Sequence, residues 1–316
     1  MSFPRQFRIF EQRFNHPLKT GHGLWTERVS LVLREEREEG GVAFGEIAPT
    51  PGFSPLSIES YRAEAEAWAR GEETPGSPLF LSALSCLSSG IWEDEENPDG
   101  KPVLTAGLSL EGKNEPQGFG TVKRKIGLGS LRRELDEVLE WISGLPDSRR
   151  VRLDANESLD RMTLGAWIKA LEGEPRLEFI EQPLPREQVE EMILLSKETP
   201  IRFALDESVL ALGGPQALRE KGWEGYLVVK PALTRDWKEA IRFARNNPET
   251  AIVSTVFESP FGYEAVCRCA SFSSMVSGLD RSLLKGGAKE FTEHHESPLR
   301  PYSVSSARLE ELWASL

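Results

Sequence analysis

The chain has 316 residues, enough for about two domains and for a core that needs no disulfide or metal staple. Its 38 Lys and Arg against 50 Asp and Glu leave a net charge of −12, which excludes the basic stripe of a nucleic-acid surface and a polybasic membrane patch. An apolar share of 39% with 28% charged residues reads as a globular protein, not a disordered one.

The N-terminus, Met1-Ser2-Phe3-Pro4-Arg5, lacks the apolar core of a signal peptide, and no run of about 18 apolar residues follows. Cys86, Cys267 and Cys269 make neither a disulfide framework nor a Cys-x-x-Cys zinc pair, and are expected as buried thiols. These features point to the cytoplasm.

In chain order, Val29, Leu31 and Leu33 alternate with other residues as a strand does. Gly40-Gly41 turns the chain into a second strand, Val42–Ile47, giving an antiparallel meander. Ser57 caps a helix that gathers Ile58, Tyr61, Ala65 and Trp68 on one face, and a short helix covers Leu79–Ser88. The charged, turn-rich segment Glu93–Pro102 is expected as a linker.

The rhythm then changes. Strands are expected at Val103–Leu110, Thr121–Leu128, Val151–Asn156, Leu177–Gln182, Ile201–Asp206, Tyr226–Lys230 and Ala251–Val256. Helices are expected between them at Leu131–Ile142, Leu164–Leu171, Arg186–Ser196, Pro215–Glu220, Trp237–Arg245 and Tyr263–Phe272. This alternation predicts a parallel sheet, and seven strands favour a closed (β/α) barrel. Gly127-Leu128-Gly129 lacks the third glycine of a dinucleotide fingerprint, and there is no Walker A loop. The last strand, near Met275–Asp280, is poorly marked.

Charged residues close these strands. Lys123 and Lys125 share one face of Thr121-Val122-Lys123-Arg124-Lys125. Asp154, Glu181, Asp206 and Lys230 end the next four strands. The steps from Lys125 onward are 29, 27, 25 and 24 residues, each about one βα unit. The five residues therefore meet at the C-terminal ends of the strands, where barrel enzymes keep their sites. Three converging carboxylates require a cation among them, and oxygen ligands without His or Cys select Mg2+, with Mn2+ as the alternative. A lysine beside such a cation and a second lysine has its ammonium form disfavoured and can serve as a base.

These residues carry a resemblance. Lys123-Arg124-Lys125, Arg152-Leu153-Asp154-Ala155-Asn156, Ile180-Glu181-Gln182-Pro183-Leu184, Leu205-Asp206-Glu207-Ser208 and Val229-Lys230-Pro231 resemble the enolase superfamily. The stretches Gly45–Ser54 and Leu84-Ser85-Cys86 resemble its o-succinylbenzoate synthases, the dehydratases of menaquinone and phylloquinone biosynthesis. The resemblance implies a modified (β/α)7β barrel at 101–290, an α+β capping domain at 1–100 with a lid loop near 46–54, and a tail at 291–316 packing on the cap.

It also implies a Mg2+-dependent hydro-lyase. The substrate would be the small-molecule carboxylate 2-succinyl-6-hydroxy-2,4-cyclohexadiene-1-carboxylate and the product 2-succinylbenzoate, with no nucleic-acid, membrane or obligatory protein partner. Lys125 would take the proton beside the ring carboxylate, and Asp154, Glu181 and Asp206 would hold the metal that steadies the enediolate. Lys230 would face the developing charge from the other side. Lys123, Arg152, Ser254, Thr255, Ser259, Gly52 and Phe53 are expected to line the substrate, with Asn156 and Glu207 behind the first ring of contacts. Glu258 is expected on the rim, and His294 and His295 on the surface.

The same lysines and carboxylates would serve an N-succinylamino acid racemase, a dipeptide epimerase or a muconate cycloisomerase. The segment 276–287 offers Asp280 but no Asp-x-Asp pair for a substrate ammonium, which counts against the epimerase.

Overall fold

The computed structural model describes residues 4–20, 23–38, 40–50, 54–73, 76–93, 102–110, 115–285, 297–302 and 304–316. The chain forms two compact units. One comprises Met1–Leu104, Lys230–Pro248 and Val253–Leu316, the other Thr105–Val229 and Glu249–Ile252.

The first unit opens with an antiparallel sheet of β1 (Arg5–Thr20), β2 (Gly23–Glu36) and β3 (Val42–Ile47). The sequence reading missed β1. Its pairing with β2 runs from Arg5 opposite Glu35 to Arg13 opposite Glu27, then shifts before Leu18 opposite Trp25. Pro17 lies in the shifted stretch, where a residue without an amide hydrogen interrupts the ladder. Helix α1 (Ile58–Ala69) is capped by the Ser57 hydroxyl, which accepts from the Ser60 amide, and it buries Tyr61, Ala65 and Trp68 as expected. Helix α2 (Pro78–Leu87) starts on a Ser77 cap with proline in its first turn, where a missing amide costs nothing.

The second unit is built from βα repeats. In order they are β4 (Gly107–Ser109), β5 (Thr121–Lys125), α3 (Leu131–Gly144), β6 (Arg150–Asp154), α4 (Arg161–Leu171), β7 (Leu177–Glu181), α5 (Val189–Glu198), β8 (Phe203–Leu205), α6 (Glu207–Ala211), α7 (Pro215–Glu220) and β9 (Tyr226–Val229). After α8 (Trp237–Asn246) comes β10 (Ala251–Val253), and β4 to β10 lie side by side in chain order as one sheet. The neighbouring strands from β4 to β9 pair in parallel. Helices cover such a sheet with one apolar face each: α3 buries Val138 and Ile142, and α4 buries Leu164, Trp167 and Leu171.

The eighth barrel position, poorly marked in sequence, is two residues long. In the first unit Ser254 bridges Gly278 in parallel, the Gly278 amide donates to Val253 O at 2.9 Å, and the Ser277 amide donates to Leu104 O at 2.8 Å. A Cβ at Gly278 would lie 2.7 Å from Ser254 Oγ, so a larger residue there would force the hydroxyl to shift. The architecture is thus the (β/α) barrel with an α+β capping domain.

Beyond β10 come α9 (Pro260–Ala270) and α10 (Ser306–Ser315). Arg34 grips Glu310 of α10 through two contacts of 2.8 and 2.6 Å, and Trp313 packs on Phe44 and Phe261. All three cysteines are buried, and no described helix is long and apolar enough to cross a membrane.

Candidate active site

Strand register gathers the charged residues of the second unit. Lys125 stands opposite Asp154 in the β5–β6 ladder, and Asp154 opposite Glu181 in β6–β7. Asp206 follows β8 and precedes the first turn of α6. Lys123, two residues before Lys125 on the same strand face, reaches between the carboxylates. Its Nζ lies 2.9 Å from Asp154 Oδ2 and 2.8 Å from Glu181 Oε1. Both acids are 4% exposed and the lysine 20%.

Burial by itself would lower the Lys123 pKa, but the charges of Asp154, Glu181 and Asp206 overcome it and hold the ammonium charged. Glu181 is pushed up to about 7, by burial first and by the charges of Asp154 and Asp206, against the opposing pull of Lys123.

The donor set fits a hard divalent cation, because the acids are buried and offer oxygen alone. Among the described residues no three His, Cys, Asp or Glu side chains are grouped closely enough to hold a metal ion as they stand. The charge standing between Asp154 and Glu181 is the Lys123 ammonium, which marks the place where a cation is favourable.

Lys125 has a different partner. Its Nζ donates to Asn156 Oδ1, and Asn156 Nδ2 donates to Glu207 Oε1 at 3.0 Å. The Asn156 backbone amide donates to Asp154 Oδ1 at 3.1 Å, which ties the lysine's holder to a carboxylate of the cluster.

Gln182 was absent from the sequence-predicted set. Its Oε1 accepts from the backbone amides of Asp206 and Ser208 at 3.0 and 3.1 Å, and its Nε2 donates to Leu184 O and Ser208 Oγ. It therefore fixes the start of α6 and with it Asp206. The available signal was a glutamine between a strand-ending acid and a proline.

Arg152 departs from the expected substrate contact. It is 2% exposed, its Nε donates to Glu178 Oε2 at 2.6 Å, and its guanidinium stacks on the Phe179 ring. The cause is a register shift: Val151 pairs with Leu177 but Arg152 with Phe179, so β7 has one extra residue and Glu178 reaches the arginine.

Three hydroxyls expected to meet the substrate are committed within the first unit. Ser254 Oγ donates to Gly278 O at 3.2 Å, Thr255 Oγ1 donates to Glu258, and Ser259 Oγ donates to Glu46. Glu258, expected on the rim, is fully buried instead, and its carboxylate also accepts from the Val256 amide. Glu46, unread in sequence, accepts from the amides of Ser259 and Gly262 at the positive end of α9. Burial raises its pKa against the hydrogen bonds from Ser259, and the charge of Glu258 adds to the rise.

Lys230 follows Val229, the last residue of β9, and precedes the 3₁₀ turn Pro231–Leu233. Gly52, Phe53, His294 and His295 lie outside the described residues; of their neighbours, the Ser54 amide donates to Thr50 O at 2.9 Å.

The Enolase C-terminal domain-like family matches residues 110–246. The o-succinylbenzoate synthase of Thermosynechococcus vestitus is 30% identical over 279 residues, covering 83% of this chain and 86% of that protein. The o-succinylbenzoate synthase of Photorhabdus laumondii is 29% identical over 289 residues, covering 85% and 88%. The crystal structure of o-succinylbenzoate synthase from Thermosynechococcus elongatus, complexed with Mg in the active site, superposes with a TM-score of 0.73 at 26% identity, over 99% of this chain and 100% of that one. A substrate-liganded L-Ala-D/L-Glu epimerase from Bacillus subtilis gives 0.69 at 17% identity over 88% and 89%, a likeness of fold alone.

Proposed function

This chain belongs to the o-succinylbenzoate synthase family of the enolase superfamily, and from that premise we propose that it dehydrates 2-succinyl-6-hydroxy-2,4-cyclohexadiene-1-carboxylate to 2-succinylbenzoate. The observation that carries the reading is the cluster itself. Buried acids from successive strand ends surround one cation, with a second lysine beside them on a neutral partner.

Asp154, Glu181 and Asp206 would hold Mg2+, which would supply positive charge beside the substrate carboxylate. Lys125 Nζ takes the proton from the ring carbon next to that carboxylate. The C–H bond breaks and its electron pair enters the enediolate. The ring hydroxyl then leaves with a proton returned by the same lysine, and aromatisation drives the step. Lys230 is assigned the second ammonium, from its place in Val229-Lys230-Pro231. Lys123 keeps the carboxylates together. The domain bounds read from the sequence, 1–100, 101–290 and 291–316, are retained for the cap, barrel and tail. The enzyme is assigned to the cytoplasm and acts on its small-molecule substrate without an obligatory partner.

The test is turnover by the purified protein with Mg2+ and the cyclohexadiene substrate, read as 2-succinylbenzoate. Racemisation of N-succinylamino acids with no 2-succinylbenzoate formed would overturn the assignment.

A further inference from the structure

An asparagine amide has two unlike ends, and the end that faces a neighbour decides what it does there. Asn156 lies between Lys125 and Glu207. Its backbone sits at φ 43°, in the left-handed region that asparagine tolerates better than most residues. The turn is held on both sides: the Ala155 amide donates to Glu181 O at 3.0 Å, and the Glu157 amide donates to Gln182 O at 2.9 Å. The side chain therefore starts from a fixed point, and only its amide remains to be oriented.

Glu207 supplies that orientation. It is 9% exposed, and its carboxylate oxygen Oε1 stands as an acceptor beside the Asn156 amide. It takes the NH2 end of Asn156 at 3.0 Å and leaves the oxygen for Lys125. A flipped amide would set NH2 against the lysine nitrogen and oxygen against the carboxylate, losing both hydrogen bonds. A lysine stem has four rotatable bonds, so without a fixed acceptor its nitrogen samples many positions.

We propose that Asn156 and Glu207 are positioning residues for Lys125: Glu207 fixes the Asn156 amide, and the amide oxygen holds Nζ in the attitude from which it takes the substrate proton. With one N–H directed at Asn156, the lone pair of the free amine points away from the amide. The inference rests on the proposed reaction, in which Lys125 is the base, and concerns how that base is aimed.

The test compares wild type with Asn156→Ala, Glu207→Ala and Glu207→Gln, using substrate protonated or deuterated at the carbon that loses its proton. Misplacing a reacting group by about 1 Å costs on the order of 100-fold, so Asn156→Ala and Glu207→Ala should each lose about that much kcat. KM and Mg2+ affinity should stay within about threefold, and the deuterium isotope effect should rise as proton removal becomes limiting. Glu207→Gln keeps an acceptor but lets the amide flip, so a loss of about 3- to 10-fold is expected.

An Asn156→Ala protein with kcat within threefold of wild type overturns the proposal. So does a loss that falls on Mg2+ affinity or melting temperature and leaves kcat intact. A wild type without turnover overturns the reaction instead. In that event a crystal structure of Glu207→Ala still decides the positioning, since Lys125 Nζ remaining on the Asn156 oxygen removes the role given to Glu207.

Discussion

Lys123→Met removes the cation between Asp154 and Glu181 while keeping the length of the side chain. At 2.9 and 2.8 Å, and with an effective dielectric of about 20, each ion pair is worth about 6 kcal/mol before desolvation. Most of that offsets the cost of burying the charges. Removing one partner of such a cluster costs about 3–5 kcal/mol net, because the remaining charges stay buried. At about 2–4 °C per kcal/mol for a chain of this size, the metal-free variant should melt about 6–20 °C below wild type.

Divalent metal should narrow the gap, since it restores positive charge among the same acids. A ligand at 100 times its Kd adds about 2.7 kcal/mol, and the variant should gain more than wild type because no ammonium competes for the space. The assay is thermal unfolding of both proteins in EDTA and in a Mg2+ series. Equal melting in EDTA would show that the lysine does not neutralise the acids. An equal Mg2+ gain in both proteins would show that metal and lysine do not share them.

Gly278→Ala sets a methyl 2.7 Å from Ser254 Oγ, so it should cost about 1–3 kcal/mol by urea unfolding, and adding Ser254→Ala should recover part of the loss. A Gly278→Ala protein as stable as wild type would mean the barrel closure yields freely. Arg152→Met should cost about 2–4 kcal/mol by leaving Glu178 without its guanidinium, and Glu178→Gln in the same chain should return some of it. A coupling below about 0.5 kcal/mol in that double-mutant cycle would dissolve the pair as a support. Glu46 has a folded pKa above its ordinary value of 4.5, so its contribution is full below that value and is lost as pH rises through the folded one. Glu46→Gln has no such loss, and as pH rises above 4.5 the stability of wild type relative to the variant should fall. Arg28 and Glu258, which face the same group, are common to both proteins, and a difference that does not change with pH would contradict the raised value.

The barrel was legible because strand-end charges recur at βα spacing, a signal that needs only a period and a count. Asp154, Glu181 and Asp206 fell out of that pattern, and so did the lysine pair. What escaped the reading depends on register and chain reversal. Nothing in Leu177-Glu178-Phe179 announces the extra residue that lets Glu178 reach Arg152, so Arg152 was assigned by strand alternation to the substrate. Ser254, Thr255 and Ser259 were assigned from their position near a strand end. Gly278 lies 24 residues from Ser254 and Glu46 lies 213 from Ser259, beyond any local rule, whereas Glu258 is only three residues from Thr255. Strand β1 was invisible for the opposite reason, since Asn15, His16 and Pro17 break an alternation that the pairing with β2 tolerates.

The two lysines of Lys123-Arg124-Lys125 show how partners separate residues that the sequence presents as a pair. They share a strand face, yet one ends on carboxylates and the other on an amide. The charges of Asp154, Glu181 and Asp206 hold the Lys123 amine in its charged form, whereas Asn156 gives Lys125 a single neutral acceptor. The amide is available only because the loop after β6 turns left-handed at Asn156, and the loop after β7 does the same at Gln182. Each reversal carries a polar side chain to the segment after β8: Asn156 to Glu207, and Gln182 to Asp206 and Ser208. The loops after β6, β7 and β8 are therefore one hydrogen-bonded frame. The carboxylates and Lys125 stand on it together, and a change at Gln182 must be felt at Asp206 and, through Glu207 and Asn156, at Lys125.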